Sequence, residues 1–339
     1  WANPADVSTI LMIISGDVVK KAFAQSTGKL YTPMCFSFGC VAYAFTALIG
    51  IMGDGRLLLP PDYPVKVFNL ESGNSKENHN WVLGRILRDL ETVGKGATAQ
   101  LATTLLQLGV AAIPAIPTFG GDWSVLFITA VGTLLIQMIG VLPQWVAEKL
   151  PNRQHARGTF ALTAGNGSRD VMVILGAGRC LDLEQMANAE SPRKGWLASR
   201  RQSRFVAGLP FGFWLTRVVL IMVSIFSLLL LVNVTVTKDH GWYILLIGAL
   251  GMFQNGVLAG MGMSTAVRNL PLRRLEVART KKVMDGIMDF HAAYPKLSRC
   301  LLREFFPGPL REAEERWWNG DFEPYERLRQ EDPTRGTPR

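Results

Sequence analysis

Three amide side chains, Gln137, Gln254 and Asn255, lie inside long apolar stretches of this chain. Polar groups at such positions either line a path for a solute or form hydrogen bonds between helices. None of the three ionises, and the apolar stretches around them contain no acidic residue. We therefore predict interhelical hydrogen bonds at these positions, and the pattern argues against a proton-coupled transporter.

A second candidate is the run VMVILGAG, residues 171–178, which Asp182 and Glu184 follow. A strand that leads into GxG resembles the start of a nucleotide-binding fold, where glycines let the backbone approach the ligand. The surrounding loop of roughly sixty residues is too short for a doubly wound domain. Arg-Cys after the second glycine also departs from GxGxxG. The run therefore predicts a turn between a strand and a helix.

The histidines and cysteines form no catalytic or metal-binding pattern. The histidines lie far apart, and the cysteines show neither a CxxC pair nor ligand spacing. The sequence contains no HExxH, GxSxG, P-loop or paired-carboxylate arrangement. It therefore predicts no catalytic residue, no metal and no cofactor, and an enzyme is the least favoured class of function.

A basic run precedes the fourth long apolar stretch and consists of Arg193, Lys194, Arg200, Arg201 and Arg204. Basic residues near a membrane surface bind anionic lipid headgroups with about 1 kcal/mol each. The same residues also serve as a topology signal. The run belongs to no recognisable nucleic-acid-binding fold, so we predict no nucleic-acid binding.

The elements that must position these side chains are apolar helices. The chain has 339 residues, of which 48% are hydrophobic and 19% charged. A bilayer core needs about 20 consecutive apolar helical residues. Five stretches meet this length without an acidic residue or lysine, namely residues 31–51, 97–119, 123–143, 213–236 and 242–263. The sequence therefore predicts an integral, multi-pass membrane protein with two helical hairpins, 97–143 and 212–263.

Charge predicts the orientation of these spans. The net charge is +9, and nearly all Lys and Arg residues lie in regions 52–96, 144–211 and 264–339. The positive-inside rule places these three regions in the cytosol and the hairpin tips outside. Residues 1–30 predict an interfacial amphipathic helix; the alternative is a sixth span, although Asp17, Lys20 and Lys21 interrupt it. The pattern does not favour the plasma membrane over an endomembrane.

The regions between the spans predict a few soluble elements. A capped amphipathic helix follows Asn80, a β-hairpin comprises residues 159–163 and 171–175, and a helix covers 181–189. The tail predicts a basic helix at 272–294 and disorder beyond it. The predicted fold is thus an all-α membrane bundle with a small α+β cytosolic insertion.

Gly256 and Gly260 form a GxxxG pattern in the fifth span. Small residues at this spacing let helices approach closely. The contact is either within one chain or between copies in a homo-oligomer.

Four further runs carry a resemblance. They are SGDVVKKAFAQ (15–25), FSFGCVAYAFTAL (36–48), GDGRLLLPP (53–61) and GNGSRDVMVILGAGRCLDLE (165–184). They resemble a group of uncharacterised polytopic membrane proteins of filamentous fungi. The resemblance covers most of the chain and implies a eukaryotic membrane protein, with no activity attached.

Two functions from different classes follow. The first is a membrane-anchored interaction or regulatory protein whose cytosolic regions recruit a protein partner, because more than half of the chain lies outside the spans. The second is a transporter or channel-like protein that uses the region of Gln137, Gln254 and Asn255. We favour the first, because the spans show no ion-coupling residue.

Overall fold

The structure is a computed structural model of the chain. It describes residues 4–27, 33–89, 96–149, 154–155, 158–166, 168, 170–176, 180–188, 205–206, 209–236, 240–262, 272–273, 275–295 and 297–331. The chain forms two compact units. The helical unit comprises Trp1–Asp62, His79–Asn152 and Ala189–Leu272, and the α+β unit comprises Tyr63–Asn78, Arg153–Asn188 and Arg273–Arg339.

The helical unit consists of packed apolar helices. Numbered along the whole chain, they are α1 (Pro4–Ser26), α2 (Gly39–Gly53), α3 (Trp81–Arg88), α4 (Gly96–Ala112), α5 (Ser124–Gly140), α6 (Pro143–Lys149), α8 (Phe211–Val236) and α9 (Gly241–Gly260). Within the residues that the structure describes, three apolar helical stretches are long enough to cross a membrane, Ser124–Trp145, Phe211–Val234 and Gly241–Gly260. They correspond to the predicted third, fourth and fifth spans, whereas α2 and α4 are apolar but shorter.

The predicted first span differs from a continuous helix. Residues 33–38 are not helical, and α2 begins only at Gly39. The two ends of this region lie at the same end of the unit. The Lys149 ammonium donates to the Thr27 carbonyl, and the adjacent Glu148 carboxylate accepts from the amides of Leu57 and Leu58. The chain therefore leaves this end of the unit after Thr27 and returns to it before Leu57.

The predicted second span is shorter than expected because of its prolines. Helix α4 ends at Ala112, shortly before Pro114, whose ring cannot continue a regular helix. A 3-10 turn at Pro117–Phe119 follows, and Gly120 and Gly121 adopt positive φ angles. Asp122 then accepts hydrogen bonds from the amide and hydroxyl of Ser124 at the start of α5. These bonds hold the pKa of Asp122 below its usual range.

Helix α1 packs against α2 and α9 along its length. Val18 lies beside Gly256, and the Gln25 amide donates to the carbonyl of Met261. Helices α1 and α9 therefore run side by side in the same direction. The sequence predicted an interfacial amphipathic helix for residues 1–30, with a sixth span as the alternative; in the structure Val19, Ala22 and Phe23 of this helix are fully buried.

Helix α3 confirms the predicted cap, because the Asn80 side chain accepts from the Val82 amide at 2.8 Å. The predicted amphipathic helix is present, and its polar side is covered as well, since every residue from Trp81 to Leu87 is buried. Arg85 is buried with an ion pair to Asp62 at 2.6 Å and lies 4.4 Å above the Trp81 ring. Burial lowers the pKa of this guanidinium against the opposing effect of Asp62.

The α+β unit is built on an antiparallel sheet of order β2-β1-β4-β5. Its strands are β1 (Lys66–Asn69), β2 (Ser75–Glu77), β4 (Thr159–Thr163) and β5 (Val171–Leu175). The predicted β4–β5 hairpin is confirmed residue by residue. The pairing of β1 with β4 was not predicted, and it joins two regions that the α4–α5 hairpin separates. The smaller pairs are β3 (Gln154–His155) with β6 (Cys180–Leu181), and, outside this unit, β7 (Phe205–Val206) with β8 (Leu209–Pro210).

Helices from the C-terminal region complete the α+β unit. They are α7 (Leu183–Ala187), α10 (Val283–Ala293), α11 (Arg299–Phe305), α12 (Glu312–Trp318) and α13 (Glu323–Glu331). Ile287 of α10 and Leu301 and Phe305 of α11 form one core with Phe68 and Ala161 of the sheet. Helix α7, predicted at 181–189, is confirmed with shorter bounds.

The prediction of disorder beyond residue 294 is wrong up to Glu331. Trp317 and Tyr325 are buried anchors in a sequence that is otherwise charged. The Tyr325 hydroxyl donates to the buried Asp285 carboxylate at 2.7 Å, and Arg329 makes a two-pronged ion pair with Asp289. Because such bidentate pairs add geometric specificity, they fix α13 on α10 despite the low apolar content of α13.

Candidate functional site

The centre of the helical unit is the non-helical segment of residues 33–38. Met34, Cys35, Phe36, Ser37 and Phe38 are all buried there. A buried backbone outside a helix needs other hydrogen-bond partners, because an unpaired N–H or C=O away from water is costly. The 33–38 segment therefore requires polar side chains from its neighbours.

Amide side chains from three helices supply these partners. Gln137 of α5 donates to the Met34 carbonyl at 2.9 Å, and Asn255 of α9 donates to the Cys35 carbonyl at 3.1 Å. Gln107 of α4 donates to the carbonyl of Phe36 at 2.8 Å. Three successive carbonyls are thus satisfied from three different helices. The sequence predicted bonds between helices for Gln137 and Asn255, whereas their acceptors lie in the non-helical 33–38 segment.

Sequence reasoning missed two members of this set. Gln100 accepts from the Cys35 amide at 3.1 Å, and Gln107 also donates to the carbonyl of Ile247. Both are buried on one face of α4, with Thr104 between them. Their spacing of i, i+4 and i+7 was the available signal. Gln254, which the sequence grouped with Asn255, is half-buried and takes no part in this arrangement.

The orientation of these amides leaves their oxygens without partners. The side-chain oxygens of Gln107, Gln137 and Asn255 are buried and accept no hydrogen bond from the described residues. Each amide nitrogen faces a carbonyl, so exchanging nitrogen and oxygen would set two acceptors against each other. The amide orientations are therefore fixed, and each oxygen can accept a hydrogen bond from another donor or bind a cation.

Glycines let the helices approach the 33–38 segment. A Cβ atom on Gly251 would lie 1.8 Å from the Phe36 carbonyl oxygen, and one on Gly248 would lie 2.2 Å from the Phe38 ring. On Gly132 of α5 it would lie 2.4 Å from the Phe36 ring. Each distance is far below van der Waals contact, so only glycine fits at these positions.

The predicted packing role of the GxxxG pattern is wrong for Gly260 within one chain. A Cβ on Gly260 would meet no atom within 4 Å, and one on Gly256 would make an ordinary 3.9 Å contact with Val18. The close approach of α9 instead uses Gly248 and Gly251. A homo-oligomeric contact at Gly260 stays a prediction.

A small cavity adjoins the Phe36 side of this arrangement. Its volume is about 10 Å³, and its lining is mostly aliphatic, from α2, α5 and α8. That volume is close to the minimum for one water molecule, and apolar cavities of this kind stay dry. The cavity therefore provides no passage for a solute in this conformation.

A buried carboxylate fixes the loop that follows α2. Glu148 accepts from the Leu57 amide at 2.9 Å, from the Leu58 amide at 2.6 Å and from Gln144 at 2.6 Å. Burial raises the pKa of Glu148, and these hydrogen bonds oppose the rise. All its contacts are accounted for by anchoring this loop, so Glu148 has a structural role.

The acidic residues near VMVILGAG also have structural roles. Asp182 caps α7 by accepting from the Gln185 amide, and Glu184 pairs with Lys76 at 2.9 Å. Strand β5 lies in an antiparallel sheet, whereas a dinucleotide-binding fold needs parallel strands. The prediction of a turn between a strand and a helix agrees with this arrangement up to Gly176, beyond which residues 177–179 lie outside the described part.

His291 is the histidine with the most contacts among those described. Its Nδ1 lies 2.5 Å from the Ser298 hydroxyl, and its ring packs against Trp317 and Trp318. Ser298 is fully buried, so it cannot reach a substrate as a nucleophile. Burial, and then the charge of Arg299, lower the pKa of His291, which keeps the imidazole neutral inside this cluster.

The predicted lipid-binding residues Arg193, Lys194, Arg200, Arg201 and Arg204 lie outside the described residues. No group of three or more metal-binding side chains occurs in the described part of the chain. No family model, curated protein or solved structure matches this chain, so the resemblance to fungal membrane proteins stays an expectation.

Proposed function

We propose that the chain is a five-span membrane protein that presents the α+β unit at the cytosolic surface, where this unit recruits a protein partner. The observation that carries the proposal is the composition of this unit. It is assembled from three regions separated by two apolar hairpins, and its core includes residues from all three. Building one folded unit from three loops gives the protein a definite surface rather than three flexible connections.

The β1–β4 pairing supports the membrane topology. Paired strands lie on one side of the membrane, so the chain between Asn69 and Thr159 crosses it an even number of times. The stretch Ser124–Trp145, which comprises α5 and the start of α6, has spanning length, and an even number of crossings then requires a second one by α4. Its 17 residues extend about 25 Å, near the thickness of the hydrocarbon core. The same reasoning applies to the α8–α9 hairpin, because β4 and α10 belong to one unit.

The fifth crossing is α1 rather than residues 31–51. Helix α1 has 23 residues and runs in the same direction as α9 at the Val18–Gly256 and Gln25–Met261 contacts, so we infer that it crosses with α9. Thr27 and Leu57 lie beside Lys149 and Glu148, so the chain between them enters the bundle and returns on the same side. Such re-entrant backbone is tolerated only inside protein, which explains the amide partners of the 33–38 segment.

A glycosylation-tag experiment tests this topology. We expect a tag inserted after Thr27 to remain unmodified, because that residue lies on the cytosolic side, whereas a tag before Pro4 or at Gly121 is modified. The natural sequon at Asn166 stays unmodified for the same reason. Modification after Thr27 would restore residues 31–51 as a crossing, and modification at Asn166 would invert the whole orientation.

Photo-crosslinking in source membranes tests the recruitment of a partner. Phe322 and Leu328 are large apolar residues of the α+β unit that are half exposed, at 52% and 50%. A photoreactive residue at either position should capture one protein reproducibly. Trp123 at the tip of the α4–α5 hairpin, 66% exposed, is the matched control and should not capture it. Capture of the same protein from Trp123 as well, or no capture from Phe322 and Leu328, contradicts the proposal. The full chain is required, since isolated loops cannot form this unit.

The alternative is a transporter or channel-like protein. The observation in its favour is the re-entrant segment with three buried amide oxygens that lack a partner in the described residues. Broken helices line substrate and ion sites in transporters. The small apolar cavity argues against it in this conformation. Flux of a solute or ion in proteoliposomes, abolished by replacing Gln107, would favour this alternative.

A further inference from the structure

The two edge strands of the sheet in the α+β unit differ in the features that prevent a further strand from pairing with them. Strand β2 has three residues, Ser75–Glu77, and Lys76 on it forms an ion pair with Glu184. Short length and charge are features that block edge pairing. Strand β5 has five residues, Val171–Leu175, and carries no charge. Within the described residues, the β5 edge therefore has neither the short length nor the charge that protects β2.

Hydrogen bonds on β4 define which groups of β5 face outward. The Thr159 carbonyl accepts from the Leu70 amide, so Thr159 directs its backbone groups toward β1. Backbone groups alternate in direction along a strand, so Phe160 and Leu162 face β5. The bond from the Gly176 amide to the Gly158 carbonyl agrees with this alternation.

The partners of Phe160 and Leu162 on β5 are Ile174 and Met172. Val171, Val173 and Leu175 consequently direct their N–H and C=O groups away from the sheet. None of these groups bonds to another described residue. Val171 and Val173 pack partly against the core, and Leu175 is 36% exposed. The outward edge is therefore a row of three donor–acceptor sites with apolar side chains.

We propose that β5 pairs antiparallel with β5 of a second copy of this chain, about a two-fold axis at Val173. This inference rests on the proposed function, because both copies must present the α+β unit on the same side of the membrane. The three outward residues are spaced symmetrically about Val173. An antiparallel second copy therefore offers the same groups in matching positions, and the sheet continues from one copy into the other.

The register of this pairing is complementary along its length. Val173 of one chain lies opposite Val173 of the other, and Val171 lies opposite Leu175 of the other chain. Each of these pairs exchanges two N–H···O hydrogen bonds. Side chains of opposite residues lie on the same face, so Leu175 is covered by Val171. The two Asp170 carboxylates lie at opposite ends, each across from Gly176. No like charges meet.

The interface between the two strands is small, so the dimer depends on both chains being anchored in one membrane. A pair of five-residue strands buries less than a standard protein–protein interface, so free association of such units is weak. Anchoring both copies in one membrane raises their effective concentration, as linked modules do. A second copy is therefore a better partner for β5 than a soluble peptide. It lies in the same membrane, which raises its effective concentration, and its own β5 strand has the matching register.

Disulfide cross-linking of full-length chains in liposomes tests the register. Val171→Cys on one tagged copy and Leu175→Cys on a second should cross-link when mixed, because directly paired Cα atoms lie about 5.5 Å apart. Either variant alone should not, since identical positions are then about 14 Å apart. The wild-type chain gives the background from its own cysteines. Equal yields for the mixture and the single variants overturn the register.

A proline substitution tests the dimer itself. Val173→Pro removes the central outward N–H but leaves the ladder to β4, which uses Met172 and Ile174, intact. Val173→Ala is the matched control, because it loses the same side chain and keeps the N–H. Single-molecule counting should find Val173→Pro monomeric, and Val173→Ala and wild type dimeric. Near-ultraviolet circular dichroism shows whether both variants remain folded; if Val173→Pro does not, the cross-linking register decides alone.

The outcomes separate this inference from the proposed function. A monomeric wild-type chain overturns the dimer even if Phe322 and Leu328 still capture a partner. Slow amide exchange at Val171 and Val173 in a monomer would show that another segment covers β5, which also overturns it. A dimer without partner capture would leave the β5 pairing standing and contradict recruitment.

Discussion

Replacing Gly251 by alanine is expected to destabilise the helical unit strongly, whereas the same replacement at Gly260 leaves its stability unchanged. The added Cβ at Gly251 would lie 1.8 Å from the Phe36 carbonyl oxygen and 2.6 Å from the Gln107 amide nitrogen. The nearest atom is backbone, so neither partner can move away cheaply. Overpacking of this kind costs about 1–3 kcal/mol and occasionally more. We expect the upper end or beyond, because displacing Phe36 also breaks its bond from Gln107.

The measurement is thermal unfolding of the full chain in detergent. Gly251→Ala should lower the unfolding midpoint clearly, and Gly248→Ala should lower it less, because a ring can shift more easily than backbone. Gly260→Ala is the matched control on the same helix, since its Cβ would meet open space. Equal midpoints for Gly251→Ala and Gly260→Ala would mean that α9 does not approach the 33–38 segment as described.

The membrane helices were predictable where length and hydropathy suffice. The stretches near 123–143, 213–236 and 242–263 contain helices of spanning length, because each is continuously apolar. Residues 31–51 have the same composition and a different path. Hydropathy reports which residues avoid water, whereas the path depends on Glu148 and Lys149 holding both ends of this region at one side. Those contacts join residues about ninety or more positions apart, which no local pattern encodes.

In the α+β unit, too, local sequence patterns did not predict the contacts between distant regions of the chain. The β4–β5 hairpin is local, and the two short apolar runs on either side of Asn166-Gly167 predicted both strands to the residue. Helix α10 lies within the basic helix predicted at 272–294, whereas strand β1 was not predicted and helices α11 to α13 lie in the tail that was predicted to be disordered. Trp317, Tyr325 and Phe305 bury well only when the three regions meet. The composition of the tail therefore predicted disorder, whereas contacts between distant regions of the chain form a hydrophobic core there.

The candidate site was predicted in part. Gln137 and Asn255 stood out because a polar residue is rare in an apolar stretch, and both bind the 33–38 segment. Gln100 and Gln107 did not, since α4 is rich in Ala and Thr and its polar face looked ordinary. The glycine pattern misled for a physical reason: GxxxG marks a helix face that permits close approach, and the actual approach uses Gly248 and Gly251 one turn or more earlier.

The final prediction concerns the donors that bind the 33–38 segment. Gln107 is fully buried, and its amide nitrogen donates to the carbonyls of Phe36 and Ile247, each at 2.8 Å. Gln107→Leu keeps the volume and removes both bonds, which leaves the Phe36 carbonyl unsatisfied at a cost of about 1–3 kcal/mol.

Gln107→Glu is the more demanding variant, because it exchanges the donor for a charged acceptor that faces two carbonyl oxygens. We expect a larger loss than for leucine, several kcal/mol in order of magnitude, since a buried charge without a partner is among the most destabilising changes. Gln254→Leu and Gln254→Glu on α9 are the matched controls, because Gln254 is half-buried and outside this arrangement. Unfolding midpoints in detergent should fall in the order wild type, Gln107→Leu, Gln107→Glu, with both Gln254 variants near the wild type. A Gln107→Glu chain as stable as Gln254→Glu would show that the amide does not face these carbonyls, and the 33–38 segment would then need another set of partners.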